Sequence, residues 1–206
     1  MSYSFCTSCS TETFTIIHRP HNPCYHGASL LIGLTSRNAA GKDEVARYLV
    51  EHHGFVYFSL SDILRKELKS RGLPVTRENL IARGNARRRG KGAGVLAETA
   101  LAELENVKEA VVVSIRNPGE VSALRTRDDF ILVAVDAPVQ LRFERARARA
   151  RSDDAKTLEE FIRDEQAELA GSENEQQLER VFKMRDKLIV NDGTLEELYA
   201  EVEELL

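Results

Sequence analysis

Leu30-Leu31-Ile32-Gly33-Leu34-Thr35-Ser36-Arg37-Asn38-Ala39-Ala40-Gly41-Lys42-Asp43 decides how this chain reads. An apolar run leads into small residues that close on Gly-Lys, and Val45, Ala46, Leu49 and Val50 then recur at helical spacing. The stretch is a strand, a loop and a helix. A loop so placed can turn backbone N–H groups inward around a phosphate, and the helix it opens adds unsatisfied N–H groups and the positive end of its dipole. Lys42 brings a mobile cation for the outer phosphates, and Gly41 admits close backbone approach. The competing reading is an ordinary small-residue turn.

The spacing is that of G-x-x-x-x-G-K-[ST], with departures at two places. Ser36 stands where the first glycine falls, and Asp43 where a hydroxyl normally ligates Mg²⁺. An aspartate can hold that ion through a water, because Mg²⁺ keeps several of its own. Ser36, Asn38, Ala39, Ala40, Gly41, Lys42 and Asp43 are therefore the candidate phosphate and metal residues.

The 206 residues suit one sizeable domain, and 42% apolar with 30% charged residues is the balance of a soluble globular protein. A net charge of −4 gives no reason to expect a nucleic-acid partner. No apolar run approaches the roughly 20 residues a bilayer span needs, and the amino terminus lacks the regions of a signal peptide. A cytoplasmic protein is the expectation. Residues 1–28 read as a loosely ordered extension, and the domain begins at residue 29. Cys6, Cys9, Cys24 and His26 in that extension could supply four zinc ligands, although the second pair is closely spaced for a finger.

Farther on, Phe55-Val56-Tyr57-Phe58-Ser59 is a second strand, and Ser61 and Asp62 open a helix. A carboxylate at the carboxyl end of such a strand lies where ligands bind, so Asp62 is the leading functional acid; the alternative is a residue complementing the helix dipole. Arg83, Arg87, Arg88, Arg89 and Lys91 form a basic cluster that could clamp an acceptor phosphate, with Arg77 and Arg83 favoured, or could be a solvated face or a weak nucleic-acid patch. Glu109 to Ile115 is a third strand, apolar enough to be buried on both faces. Ser114 stands where an acid normally coordinates metal through water, leaving Arg116 and Glu120 as candidates.

Phe130 to Val135 is a fourth strand. In the helix after Asp136-Ala137-Pro138, Arg142, Arg145 and Arg149 share one face, the pattern of a lid over phosphates or of a solvated helix. Thr157-Leu158-Glu159-Glu160 is a capping box, a helix follows from about 175 to 185, Lys187 to Val190 is a fifth strand, and Thr194 caps the last helix. Strands and helices alternate as in a single α/β domain.

Together these residues resemble the P-loop kinases of small metabolites from about Leu30 to Leu206. Gly33-Leu34-Thr35, Gly41-Lys42 and Asn191-Asp192-Gly193-Thr194-Leu195-Glu196-Glu197-Leu198 are similar to dephospho-coenzyme A kinases. Gly41-Lys42-Asp43 and Ser114-Ile115-Arg116-Asn117-Pro118-Gly119-Glu120 look like deoxynucleoside monophosphate kinases. The resemblance implies a five-stranded parallel sheet between helices, an acceptor-binding region at about 61–105, an arginine lid at about 142–156, and ATP with Mg²⁺ as donor. It also implies that Lys42 holds the β- and γ-phosphates, Asp62 and Arg65 face the acceptor, Arg145 or Arg149 stabilises the transferring phosphoryl, and Asn191 lies near the adenine.

The function expected is ATP-dependent phosphoryl transfer to a nucleoside or deoxynucleoside monophosphate, with a dephospho-coenzyme A type acceptor as the alternative. A nucleotide-binding module that has lost most catalysis is the second class. The altered positions 36, 43 and 114 favour that module, and Lys42, Asp62 and the arginine face argue against it.

Overall fold

A computed structural model describes residues 29–149, 157–169 and 176–206. The proposed zinc ligands, the end of the expected lid at 150–156 and the start of the helix expected from 175 lie outside them. In chain order the elements are β1 Leu30–Ser36, α1 Lys42–His53, β2 Val56–Ser59, α2 Leu60–Ser70, α3 Arg77–Lys91, α4 Val95–Glu103 and β3 Glu109–Val113. They continue as α5 Pro118–Leu124, β4 Phe130–Asp136, α6 Val139–Arg149, α7 Leu158–Leu169, α8 Leu178–Lys183, β5 Lys187–Val190 and α9 Leu195–Glu203.

The strands form one parallel sheet in the order β2-β3-β1-β4-β5. Its central strands are apolar on both faces because helices cover both. Alternate residues of β1 feed separate cores: Leu31 packs with Val112 and Leu132 against α2, α4, α5 and α8, while Ile32 and Leu34 pack with Val111 and Val133 against α1 and α9. At about 1.5–3 kcal/mol per large buried side chain, these two cores are the main stabilising term. Gly33 is required at the centre of β1, since a Cβ there would come within 2.6 Å of the Phe130 ring and 2.8 Å of Ile115.

Parallel pairing brings every carboxyl end to one edge, and the strand order reverses at β1, where open α/β sheets bind ligands. That edge carries the 37–41 loop after β1, Ser59 ending β2, Ser114 after β3, Asp136 ending β4 and Asn191 after β5.

The expected boundaries shift slightly, for visible reasons. Phe55 precedes β2, because Gly54 ends α1 in a left-handed conformation and turns Phe55 into the core, where it is 4% exposed. Among the described residues α8 begins at Leu178, just after Gln177, whose N–H donates to the Arg116 carbonyl at 2.8 Å. The region after α2 divides at Gly92, giving separate helices α3 and α4.

Candidate nucleotide site

The loop between β1 and α1 bends through two left-handed residues, Ala39 at φ 60° and Gly41 at φ 105°. Alanine is disfavoured there, so the surrounding structure enforces the bend. Asn191, 6% exposed, reaches across from the end of β5 and donates its Nδ2 to the Ala40 carbonyl at 2.9 Å. A Cβ on Gly41 would collide with that same amide, so Gly41 is set by close approach as well as by its φ.

The arginine face of α6 turns onto this loop. Arg145 donates to the Asn191 backbone carbonyl at 2.9 Å and to its Oδ1 at 3.3 Å, fixing the amide that grips Ala40. Arg149 donates to the Asn38 Oδ1 at 3.0 Å, and Arg142 to the Asn38 carbonyl at 3.3 Å. Arg142 is only 2% exposed, held also by the Ala137 carbonyl and by a close ion pair with Glu165 of α7. Phe143, Ala146 and Phe161 make a small apolar cluster between α6 and α7 that Ala39 packs against. Arg37, inside the loop, lies 3.6–3.8 Å from Asp136, Glu165 and Glu179 and stacks over Phe182. A cleft opens there, lined by Ser36, Arg37, Asn38, Glu165, Leu178, Glu179 and Phe182.

Lys42 begins α1, and its ammonium is ion-paired with the neighbouring Asp43 carboxylate. The lysine side chain is 19% exposed and the aspartate 73%. Beyond them, three hydroxyls meet: Ser59 and Ser61 at 2.9 Å, Ser59 and Ser114 at 3.3 Å, and Ser114 and Ser61 at 3.4 Å. Ser114 holds φ 66°, a strained value for serine that aspartate, asparagine and glycine tolerate better. Tyr57 stands beside them. Burial pushes its phenol up to about 12, and the carboxylates of Asp43 and Asp62 add to the shift.

Donors near the head of α1 include the Asp43 carboxylate and these hydroxyls, with the Asp62 carboxylate also close to Tyr57. Among the described residues no three or more His, Cys, Asp or Glu gather as a metal cage. Such a set fits Mg²⁺, which is held by one or two carboxylates together with substrate phosphates and retained waters.

The acceptor-side candidates divide. Asp62 and Arg65 pair at 3.2 Å on the open side of α2, both more than two-fifths exposed. Arg77 opens α3 at the surface. Arg116 donates to Gln176 at 2.9 Å. Arg83 is tied to Glu67, which also holds Arg71 at 3.3 Å and Arg87 at 3.4 Å, and Arg83 holds the Glu67 carboxyl below the usual range. Glu120 is fully buried: one oxygen accepts from Arg88 at 2.8 and 3.0 Å, the other from the N–H groups of Arg116 and Asn117 at 2.8 and 3.1 Å. It shapes the turn after β3 from behind. Much of the basic run is thus occupied internally, with Arg89 and Lys91 at the surface.

Sequence reasoning singled out neither Glu165 nor Tyr57. Glu165 sits mid-helix with no motif around it, and Tyr57 looked like a strand aromatic. A tyrosine two residues before a strand's polar end was the only available signal for it.

A five-stranded parallel sheet with a Gly-Lys loop at its switch point defines a P-loop kinase-like protein. A shikimate kinase from Acinetobacter baumannii, solved with shikimate, shares the fold at a TM-score of 0.52 and 19% identity, over 86% of this chain and 92% of that one. TT1252 from Thermus thermophilus does so at 0.54 and 21%, over 87% and 97%. Residues 38–163 match the family described as an AAA domain. A UPF0200 protein of Thermococcus kodakarensis is 33% identical over 184 residues, 86% of this chain and 96% of its own. One from Pyrococcus abyssi is 32% identical over 184 residues, 86% and 95% of the two chains. The chain belongs to the UPF0200 family, within the P-loop kinase-like AAA-domain proteins. No described helix is long and apolar enough to cross a membrane.

Proposed function

We propose that this protein transfers the γ-phosphoryl group of ATP, bound with Mg²⁺, to a nucleoside or deoxynucleoside monophosphate. The observation that carries the reading is the loop itself: left-handed at Ala39 and Gly41, gripped by Asn191 and the α6 arginines, and opening onto Lys42 at the head of α1. Successive inward N–H groups with a lysine beside them bind polyphosphate, and phosphoryl transfer asks mainly for positioning and charge neutralisation.

In this reading Ser36 to Asp43 embrace the phosphates, with Asn38, Ala39, Ala40 and Gly41 supplying backbone, and Lys42 contacts the transferring group. Asp43 holds Mg²⁺. Asn191 lies near the adenine while bracing the loop, and Arg145 and Arg149 turn toward the phosphoryl group on closure. Asp62 orients the acceptor, Arg65, Arg77 and Arg116 meet its charge, and Arg83 and Glu120 hold the walls. The domain runs from residue 29, its acceptor region at about 61–105 and its lid at about 142–156. A dephospho-coenzyme A type acceptor uses the same parts. Dependence on ATP is in keeping with a cytoplasmic setting.

A second reading, an ATP-binding module with little catalysis, is favoured by Ser114 in the place of an acid. A coupled ADP-release assay separates them, run with ATP and Mg²⁺ over ribo- and deoxynucleoside monophosphates and dephospho-coenzyme A. Acceptor-dependent release that Lys42→Ala lacks is expected. Silence across the panel, with ATP still binding by calorimetry, overturns the transferase and leaves the module.

A further inference from the structure

In the usual loop the residue after the lysine is a neutral hydroxyl, which leaves the ammonium available to phosphate whether or not a metal is present. Here that residue is a carboxylate, and it holds the ammonium directly. We propose that Asp43 makes phosphate binding by Lys42 conditional on a divalent cation: the ion pair occupies the lysine until a metal takes the carboxylate and releases the ammonium to the phosphates. This rests on the reading of the loop as a nucleotide-phosphate site.

Two features support the interlock. The first is access. Lys42 is 19% exposed and Asp43 73%, so a cation from solvent reaches the carboxylate more readily than it reaches the lysine. A metal-free polyphosphate approaching the same mouth meets an unneutralised carboxylate and an occupied lysine. A metal-bound one cancels the carboxylate's charge and frees the lysine in one step.

The second is an exchange of groups across the site. The acid ordinarily found after the third strand is missing and Ser114 stands there, in a left-handed backbone that suits an aspartate better than a serine. Acid and hydroxyl have traded places between the end of β3 and the head of α1. Ser114 lies within hydrogen-bonding distance of Ser59 and Ser61, giving three neutral hydroxyls able to bind the waters that Mg²⁺ retains, while Asp43 supplies the charge. Of the two exchanged positions, 43 and 114, one still carries a carboxylate, and that carboxylate also holds the lysine.

The test is equilibrium binding of ATP by titration calorimetry, with excess Mg²⁺ and with EDTA, on the wild-type chain, Asp43→Ser and Ser114→Ala. Asp43 is exposed, so its substitution leaves the cores intact. In the wild type Mg²⁺ is expected to tighten ATP binding by about tenfold or more. Asp43→Ser is expected to bind metal-free ATP about tenfold more tightly than the wild type, and to gain less than about threefold from Mg²⁺. Ser114→Ala is expected to lessen the gain from Mg²⁺. The same ratio of metal-bound to metal-free affinity in Asp43→Ser and wild type overturns the interlock, and an undiminished gain in Ser114→Ala removes the serines from the metal's surroundings. A wild-type chain that binds ATP under neither condition brings down the phosphate-site reading itself, a different result from either.

Discussion

The side-chain amide of Asn191 donates to the carbonyl of Ala40 at 2.9 Å, joining the end of the last strand to a loop that follows the first. The atom that makes this bond is the one a Cβ on Gly41 would strike. The loop's shape is therefore specified twice, once by its own backbone and once from outside.

Gly41→Ala is expected to fail on both counts. A left-handed φ costs alanine about 1–3 kcal/mol, and displacing Asn191 releases Ala40. ATP affinity should fall by about tenfold or more, while Asn191→Ala, which removes the brace but leaves the glycine, should weaken binding by less. Calorimetry on both variants checks the order, and equal losses would show that the brace alone sets the loop.

Glu120→Gln should be a stability variant. It removes the charge that Arg88 meets in a fully enclosed setting and replaces one accepting oxygen with an NH₂ donor, so either Arg88 or the two backbone N–H groups lose their acceptor. Breaking a buried pair costs about 3–5 kcal/mol. For a chain of this size that lowers the melting temperature by roughly 6–20 °C. The protein that remains folded at low temperature should bind ATP as the wild type does.

Asp62→Asn should do the reverse. The side chain is 43% exposed and pairs with nearby Arg65, so melting should shift little while turnover with the accepted monophosphate drops. Unchanged turnover in the purified variant removes Asp62 from the mechanism.

Acid should destabilise the fold by a legible route. Arg83 lowers the Glu67 carboxyl, Arg127 lowers Asp129, Arg47 lowers Glu44, and Tyr48 with His53 lowers Glu203, from ordinary values of 4.5 for the glutamates and 3.8 for the aspartate. Each folded carboxyl takes up a proton less readily than the same group in the unfolded chain, so below those values the unfolded state binds more protons and stability falls with pH. Stability from these pairs should be complete above about pH 5 and decline through pH 4 and below, as read by thermal melts across that range.

The strands were legible because burial on both faces demands continuous apolar runs, as in Val111-Val112-Val113 and Leu132-Val133-Ala134-Val135. The starts of α7 and α9 were legible because Thr157 with Glu160, and Thr194 with Glu197, complete reciprocal caps within four residues. The shared face of Arg142, Arg145 and Arg149 was equally visible, but what each grips was not. Arg142 finds Asn38 and Glu165, at sequence distances no local pattern encodes. Glu67 of α2 gathering Arg83 and Arg87 of α3, and Glu120 closing over Arg88, belong to the same class of long-range choice. Local chemistry marked the loop; tertiary contacts decided which charges around it face outward.

Arg142 touches the loop through the Asn38 carbonyl and α7 through Glu165, while Ala39 rests on the Phe143 and Phe161 cluster between the same two helices. The phosphate loop and this helical pair thus share one mechanical joint. The loop is no free-standing turn: its place beside the sheet is inherited from how α6 and α7 lie against each other.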